Sequence, residues 1–174
     1  MLYKETILIL LVTIFSSFKI ITNTVSDYDK VLHFKQNALV EGKVGHEYVY
    51  DLAGINECNK TRIKYLGIVR TSQGKQYKIL TSFFVFRTKK DMCHGSSSIE
   101  IYNTKNQFIG QYHVGMPDDL PDELKNNRLI YLTNSESCSL RKERSIDLSQ
   151  GLPKSFFIKC SHNGGDIYRF SSGD

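Results

Sequence analysis

The chain has 174 residues, of which 40% are apolar and 24% charged, and its 23 basic and 18 acidic side chains give a formal net charge of +5. These proportions are those of an ordinary folded protein and exclude a disordered chain, a collagen-like repeat and a multi-span membrane protein. The basic excess is mild and does not by itself indicate nucleic-acid binding, so no nucleic-acid partner is expected.

Lys4 precedes Ile7 to Phe18, twelve uncharged and mostly apolar residues; Lys19 interrupts the run before Ile20 and Ile21. A membrane span needs about 20 apolar residues. A run this short fits the apolar centre of a secretory signal. Residues 1–24 are therefore expected to be a signal peptide cleaved near Thr24, where Thr22 and Thr24 supply small side chains. Residues 25–174 are then a single β-rich domain in secreted, periplasmic or cell-envelope space. Two other readings are a buried N-terminal helix and an uncleaved anchor over residues 7–21 with Lys19 snorkelling. The membrane enters only through that anchor.

Four cysteines, Cys58, Cys93, Cys138 and Cys160, fall in the exported part. An even count in an oxidising compartment reads as two disulfides. Three connectivities are open. The shorter loops favour Cys58–Cys93 and Cys138–Cys160, each adding about 3–4 kcal/mol in the chain-entropy model. Asn59-Lys60-Thr61 matches the N-glycosylation sequon beside Cys58.

From there the pattern is strand after strand. Val31 to Gln36 is short and mixed. His46 to Leu52 places Tyr48, Tyr50 and Leu52 on one face, and Arg62 to Arg70 alternates well. Gln76 to Arg87 is the longest candidate. Tyr77, Ile79, Phe83 and Val85 share one face and Leu80, Phe84 and Phe86 the other, so burial on both sides is expected. Lys89-Lys90-Asp91 breaks the pattern, and His94 to Ser98 reads as a polar loop. Ile99 to Asn103 and Gln107 to Val114 flank Thr104-Lys105-Asn106 as a hairpin. Gly110 inside its second strand predicts a bulge or the close approach of another element. One short helix is predicted near 118–126, with Pro121 at its first position and acids at its positive end. Arg128 to Leu132 reads as a strand, residues 133–145 as loop, and Ser155 to Cys160 with Asp166 to Phe170 as a last hairpin. The expected fold is all-β and mainly antiparallel, with seven or eight strands in a sandwich or small barrel.

Asp118, Asp119, Asp122 and Glu123 lie within six residues and are candidate surface residues for a cation, since hard cations want several oxygen ligands. The Asp-x-Asp-x-Asp-Gly spacing is absent, and acids compensating a helix start are the favoured reading of the cluster. His94 follows Cys93 and His162 lies near Cys160, but the widely spaced cysteines lack the close pairs of structural zinc sites. No metal or other cofactor is expected. No Gly-x-Ser-x-Gly motif and no phosphate-binding glycine loop is present. Lys89-Lys90 and Arg141-Lys142-Glu143-Arg144 read as solvated basic loops. Eight tyrosines, Tyr48, Tyr50, Tyr65, Tyr77, Tyr102, Tyr112, Tyr131 and Tyr168, fall on candidate strands, where they either grip a ligand or edge the β-core.

No motif marks an enzyme. The sequence is read as an exported β-domain acting by binding, with an extracellular or periplasmic protein or a carbohydrate as partner. One alternative is a small secreted hydrolase acting on nucleic acid or cell-wall sugar, needing His113 or His94 to converge with Glu100 or Asp91. Another is an inhibitor or immunity-type protein.

Overall fold

A computed structural model describes residues 26–51, 60–89, 92–134 and 138–173. Residues 1–24, expected to be a signal segment, Cys58 and Asn59, Lys90 and Asp91 lie outside the described residues.

The first element is a helix, α1 (Asp27–Glu41), not a strand. Its ends explain why. Ser26 accepts a hydrogen bond from the Asp29 backbone N–H at 3.2 Å, satisfying one of the free donors of the first turn. Gly42 closes the other end in the left-handed conformation, its N–H donating to the Ala38 carbonyl. Between these caps Val31, Ala38 and Leu39 are buried and Phe34 is partly buried, a helical spacing that a short period-2 reading of Val31 to Gln36 conceals.

Ten strands follow. A seven-stranded sheet has the order β1 (Glu47–Asp51), β2 (Lys60–Arg70), β3 (Gln76–Lys89), β4 (Met92–Tyr102), β5 (Phe108–Val114), β10 (Gly165–Ser172), β9 (Ser155–Lys159). Every neighbouring pair is antiparallel. A second sheet of three strands joins β6 (Glu123–Lys125), β7 (Arg128–Ile130) and β8 (Ser145–Asp147). The mostly antiparallel β architecture agrees with the sequence reading. The strand count is higher because β6 and β8 are only three residues long.

The large sheet has two different covers. Helix α1 lies on one face, where Ala38 and Leu39 pack with Ile63, Tyr65, Leu80 and Tyr102. The other face carries the larger core: Val69, Ile79, Ile99, Ile101, Tyr112 and Val114 meet Leu129 and Ile146 of the small sheet, with Phe156, Ile158 and Tyr168 of the last hairpin. A bulge at Tyr65–Gly67 lets β2 feed both cores, with Tyr65 towards the helix and Leu66 and Val69 towards the small sheet. Gly67 sits there at φ 127°, a conformation that excludes most side chains.

The predicted hairpin is present. Asn103 Oδ1 accepts from the backbone N–H groups of Lys105 and Gln107, and Asn106 takes the left-handed conformation. Gly110 marks a close approach, as expected: a Cβ there would collide with the Ser171 carbonyl and the Phe170 ring of β10.

Two segments differ from expectation. The helix predicted near 118–126 is a single 3₁₀ turn, Pro117–Asp119, after which β6 begins at Glu123. Pro121 is the cause, since the residue before a proline is driven extended and Leu120 lies at ψ 142°. Asn126 and Asn127, both at positive φ, then turn the chain into β7. The second difference is His94 to Ser98, which is strand within β4, paired with β3 from Met92 onward.

The candidate site: a trough beneath the helix

Strand β4 alternates Ser96, Ser98, Glu100 and Tyr102 towards the helix and Ser97, Ile99 and Ile101 towards the small sheet. Glu100 is only 2% exposed. Three donors converge on its carboxylate: Lys35 Nζ at 2.6 Å and Ser98 Oγ at 2.9 Å on Oε1, and Tyr102 OH at 2.7 Å on Oε2. Lys35 projects from α1 and is itself mostly buried. A buried carboxylate is tolerated when it is paired and hydrogen-bonded in this way. Burial, and then the neighbouring Glu100 charge, holds the Tyr102 phenol well above its ordinary range, so it stays a donor.

Around this pair lies a trough of two lobes between α1 and the sheet. Tyr28, Lys35, Glu100 and Gln111 line both. The first lobe, about 120 Å³, adds Val31, Ser82, Phe84, Ser96 and Ser98. The second, about 290 Å³, adds Leu32, Tyr102 and Phe108.

Beyond Phe84 and Ser96, where the trough's lining ends, the same sheet face continues outward along a ribbon. Among the described residues β2 pairs with β3 as far as Phe84 and β5 with β4 from Ser97, so the outer ends of β3 and β4 there pair only with each other. On the helix side of this ribbon Phe84 and Phe86 stack at 5.6 Å, and His94 stacks on Phe86 at 6.0 Å. Gly95 leaves room for the Phe83 ring on the opposite side, where a Cβ would come within 2.8 Å of it.

The residues singled out from the sequence go to separate places. Asp119 is buried: it accepts from the Met116 backbone N–H at 3.0 Å and forms an ion pair with Arg141. Asp118 gives Arg141 its backbone carbonyl at 2.7 Å, and Asp122 accepts from the Leu132 N–H at 2.7 Å. Glu123 opens β6 opposite Ile130. Among the described residues these acids form no cluster able to share a cation; the one close group is Cys138, Cys160 and Asp166. Its two sulfurs are bonded to each other, as the loop argument expects. Cys93 is also disulfide-bonded.

Arg141, read as part of a solvated basic loop, is 1% exposed. Its guanidinium lies against the Cys160 sulfur and 5.8 Å from the Tyr131 ring centre. Five of the eight tyrosines expected on strands are buried: Tyr65 and Tyr102 on the helix side, where Tyr102 also lines the trough, and Tyr112, Tyr131 and Tyr168 in the larger core.

Sequence reasoning missed Lys35, because α1 was read as a strand, and missed the role of Glu100. The available signal was the polar face of β4, where hydroxyl, hydroxyl, carboxylate and phenol recur every second residue inside an apolar strand. His94 sits on the outer, aromatic ribbon, away from the acids. Among the described residues, no helix is long and apolar enough to cross a membrane. Compared with known proteins, the chain matches no family model, no curated protein and no solved structure.

Proposed function

We propose that this chain is an exported β-domain that acts by binding, and that the trough beneath α1 holds a polar ligand of the carbohydrate type. The observation that carries the reading is the sequence of surfaces from the outer β3–β4 ribbon into the trough. Stacked rings of Phe84, Phe86 and His94 come first, then hydroxyls of Ser96 and Ser98, then the Lys35–Glu100 pair with Gln111. Flat rings accept the apolar face of a sugar, while hydroxyls, an amide and a charged pair meet its hydroxyl groups. The packing of the small sheet on the large one gives a sandwich-like framework beneath it. Export fits the Cys138–Cys160 bond, since disulfides persist in oxidising compartments.

The test is an oligosaccharide array probed with the wild-type chain, Phe86→Ala and Gln111→Ala, with thermal melts as a folding control. The reading expects a bound glycan class that both variants lose while their melts stay near wild type. Binding to no glycan, together with capture of an envelope protein that both variants lose, would replace the sugar by a protein ligand at the same trough. A hydrolytic reading draws on His113, which lies opposite Ser98 on the face that carries Glu100. It requires turnover that His113→Gln abolishes.

A further inference from the structure

The opposite face of the large sheet holds a second trough, independent of the first. Its cations come from β2. Across the β1–β2 ladder, Lys64 faces Glu47 and Lys60 faces Asp51, but Arg62 between them faces Val49. Opposite charges directly across a ladder offset one another. The middle cation has no such acid. Its guanidinium lies 5.0 Å over the ring of Phe83, its partner on β3.

The trough around it is open, about 500 Å³, and lined by Val49, Lys60, Arg62, Phe83 and Val85. A narrower cleft beside it runs from Arg62 towards Leu120, Pro121 and Asp122, the segment that leads into β6. Three apolar side chains thus surround an arginine held by a ring. The volume lies within the range of small-molecule sites. A planar guanidinium presents paired N–H donors that match a carboxylate fork. Resting on an aromatic face fixes the fork's plane in advance.

From this juxtaposition we propose that the Arg62–Phe83 trough is a binding site for small organic carboxylates with an apolar or aromatic body. The carboxylate meets Arg62, the cation with no acid opposite it, and the body rests on Val49, Phe83 and Val85. Asp51 and Glu47 flank the site and Asp122 lies at its far end. They disfavour a multiply charged anion and leave room for a single negative charge.

The experiment is an amide-resolved NMR titration of the whole chain with phenylacetate, its neutral analogue 2-phenylethanol, and sodium sulfate as separate probes. Phenylacetate is expected to give saturable shifts centred on Val49, Arg62 and Phe83, with the alcohol and sulfate each binding more weakly. Loss of a charge-assisted hydrogen bond predicts about a tenfold or greater fall in affinity for Arg62→Gln. Arg62→Lys, which keeps the charge and removes the fork, is expected to fall between and serves as the second variant should the first lose its native spectrum. Equal binding of the alcohol, full competition by sulfate, or a wild-type affinity in both Arg62 variants would overturn the site. Glu100→Gln lies on the other face and is expected to leave the phenylacetate titration unchanged, so failure of the sugar reading and failure of this one are separable.

Discussion

Two buried ion pairs sit on opposite faces of one sheet, and they are built differently. Arg141–Asp119 is closed in. Arg141 is 1% exposed, and it is hemmed by Tyr131 and by the Cys138–Cys160 bond. Lys35–Glu100 is equally well hydrogen-bonded, yet Lys35 keeps a fifth of its side chain exposed and the pair opens into a trough. The contrast separates two uses of a buried charge. In the first pair the arginine reaches between the turn at Pro117–Asp119 and Cys160 at the end of β9, tying the turn to the last hairpin. In the second, the charges are held in place beside solvent, where a ligand can meet them.

Breaking each pair tests the distinction. The largest effect is expected for Asp119→Ala, which leaves the enclosed Arg141 charge facing the half-exposed Asp166 carboxylate at 3.8 Å; the cost is about 3–5 kcal/mol, read as a lower urea midpoint. Glu100→Gln is expected to cost less, about 1–3 kcal/mol, because Lys35 can turn to water. A Glu100→Gln loss equal to that of Asp119→Ala would remove the distinction. Smaller still is Ser26→Ala at the start of α1, about 1 kcal/mol by thermal or urea unfolding. It is expected to affect the trough side only, leaving amide exchange in the β6–β8 sheet unchanged.

A last difference is silent at neutral pH. Burial raises the phenols of Tyr112, Tyr131 and Tyr168 on the enclosed face and Tyr102 on the other. A group whose folded pKa lies above its unfolded value holds its proton in the native state while the unfolded chain gives it up. Stability is therefore undiminished below the ordinary tyrosine pKa of about 10 and falls as pH rises above it. Phenolate absorbance during an alkaline titration is expected to appear for these tyrosines only as the fold is lost. Their early ionisation with native circular dichroism would contradict the packing.

The long elements were legible because each presents a clean period: β2, β3 and the β4–β5 hairpin follow directly from alternation and from the Asn-rich turn. Short pieces were not. β6 and β8 are three residues each, too brief for a period, and only Asn126-Asn127 hints at a turn between β6 and β7. Helix α1 was hidden by a weakly amphipathic face, although Ser26 and Gly42 mark its two ends. The trough was hidden for a different reason. Lys35 and Glu100 lie 65 residues apart, and no local pattern says which helix face will lie over which strand. Arg141 shows the converse limit, since a run of charged residues reads as solvated until a tertiary partner such as Asp119 is known.

The sheet order has a consequence for the route by which the chain folds. β1 to β5 form neighbour-to-neighbour pairs in chain order, but β5 pairs next with β10, and everything from Gly115 to Gly164 is threaded between them. The meander can assemble through hairpins closed by short turns, while the β5–β10 seam must wait for a long loop to close and pays its entropy late. Pulse-labelled amide exchange during refolding is expected to protect β3 and β4 before β10. The Cys138–Cys160 bond, by shortening the path to β10, then acts on the rate of that final step as well as on the stability of its product.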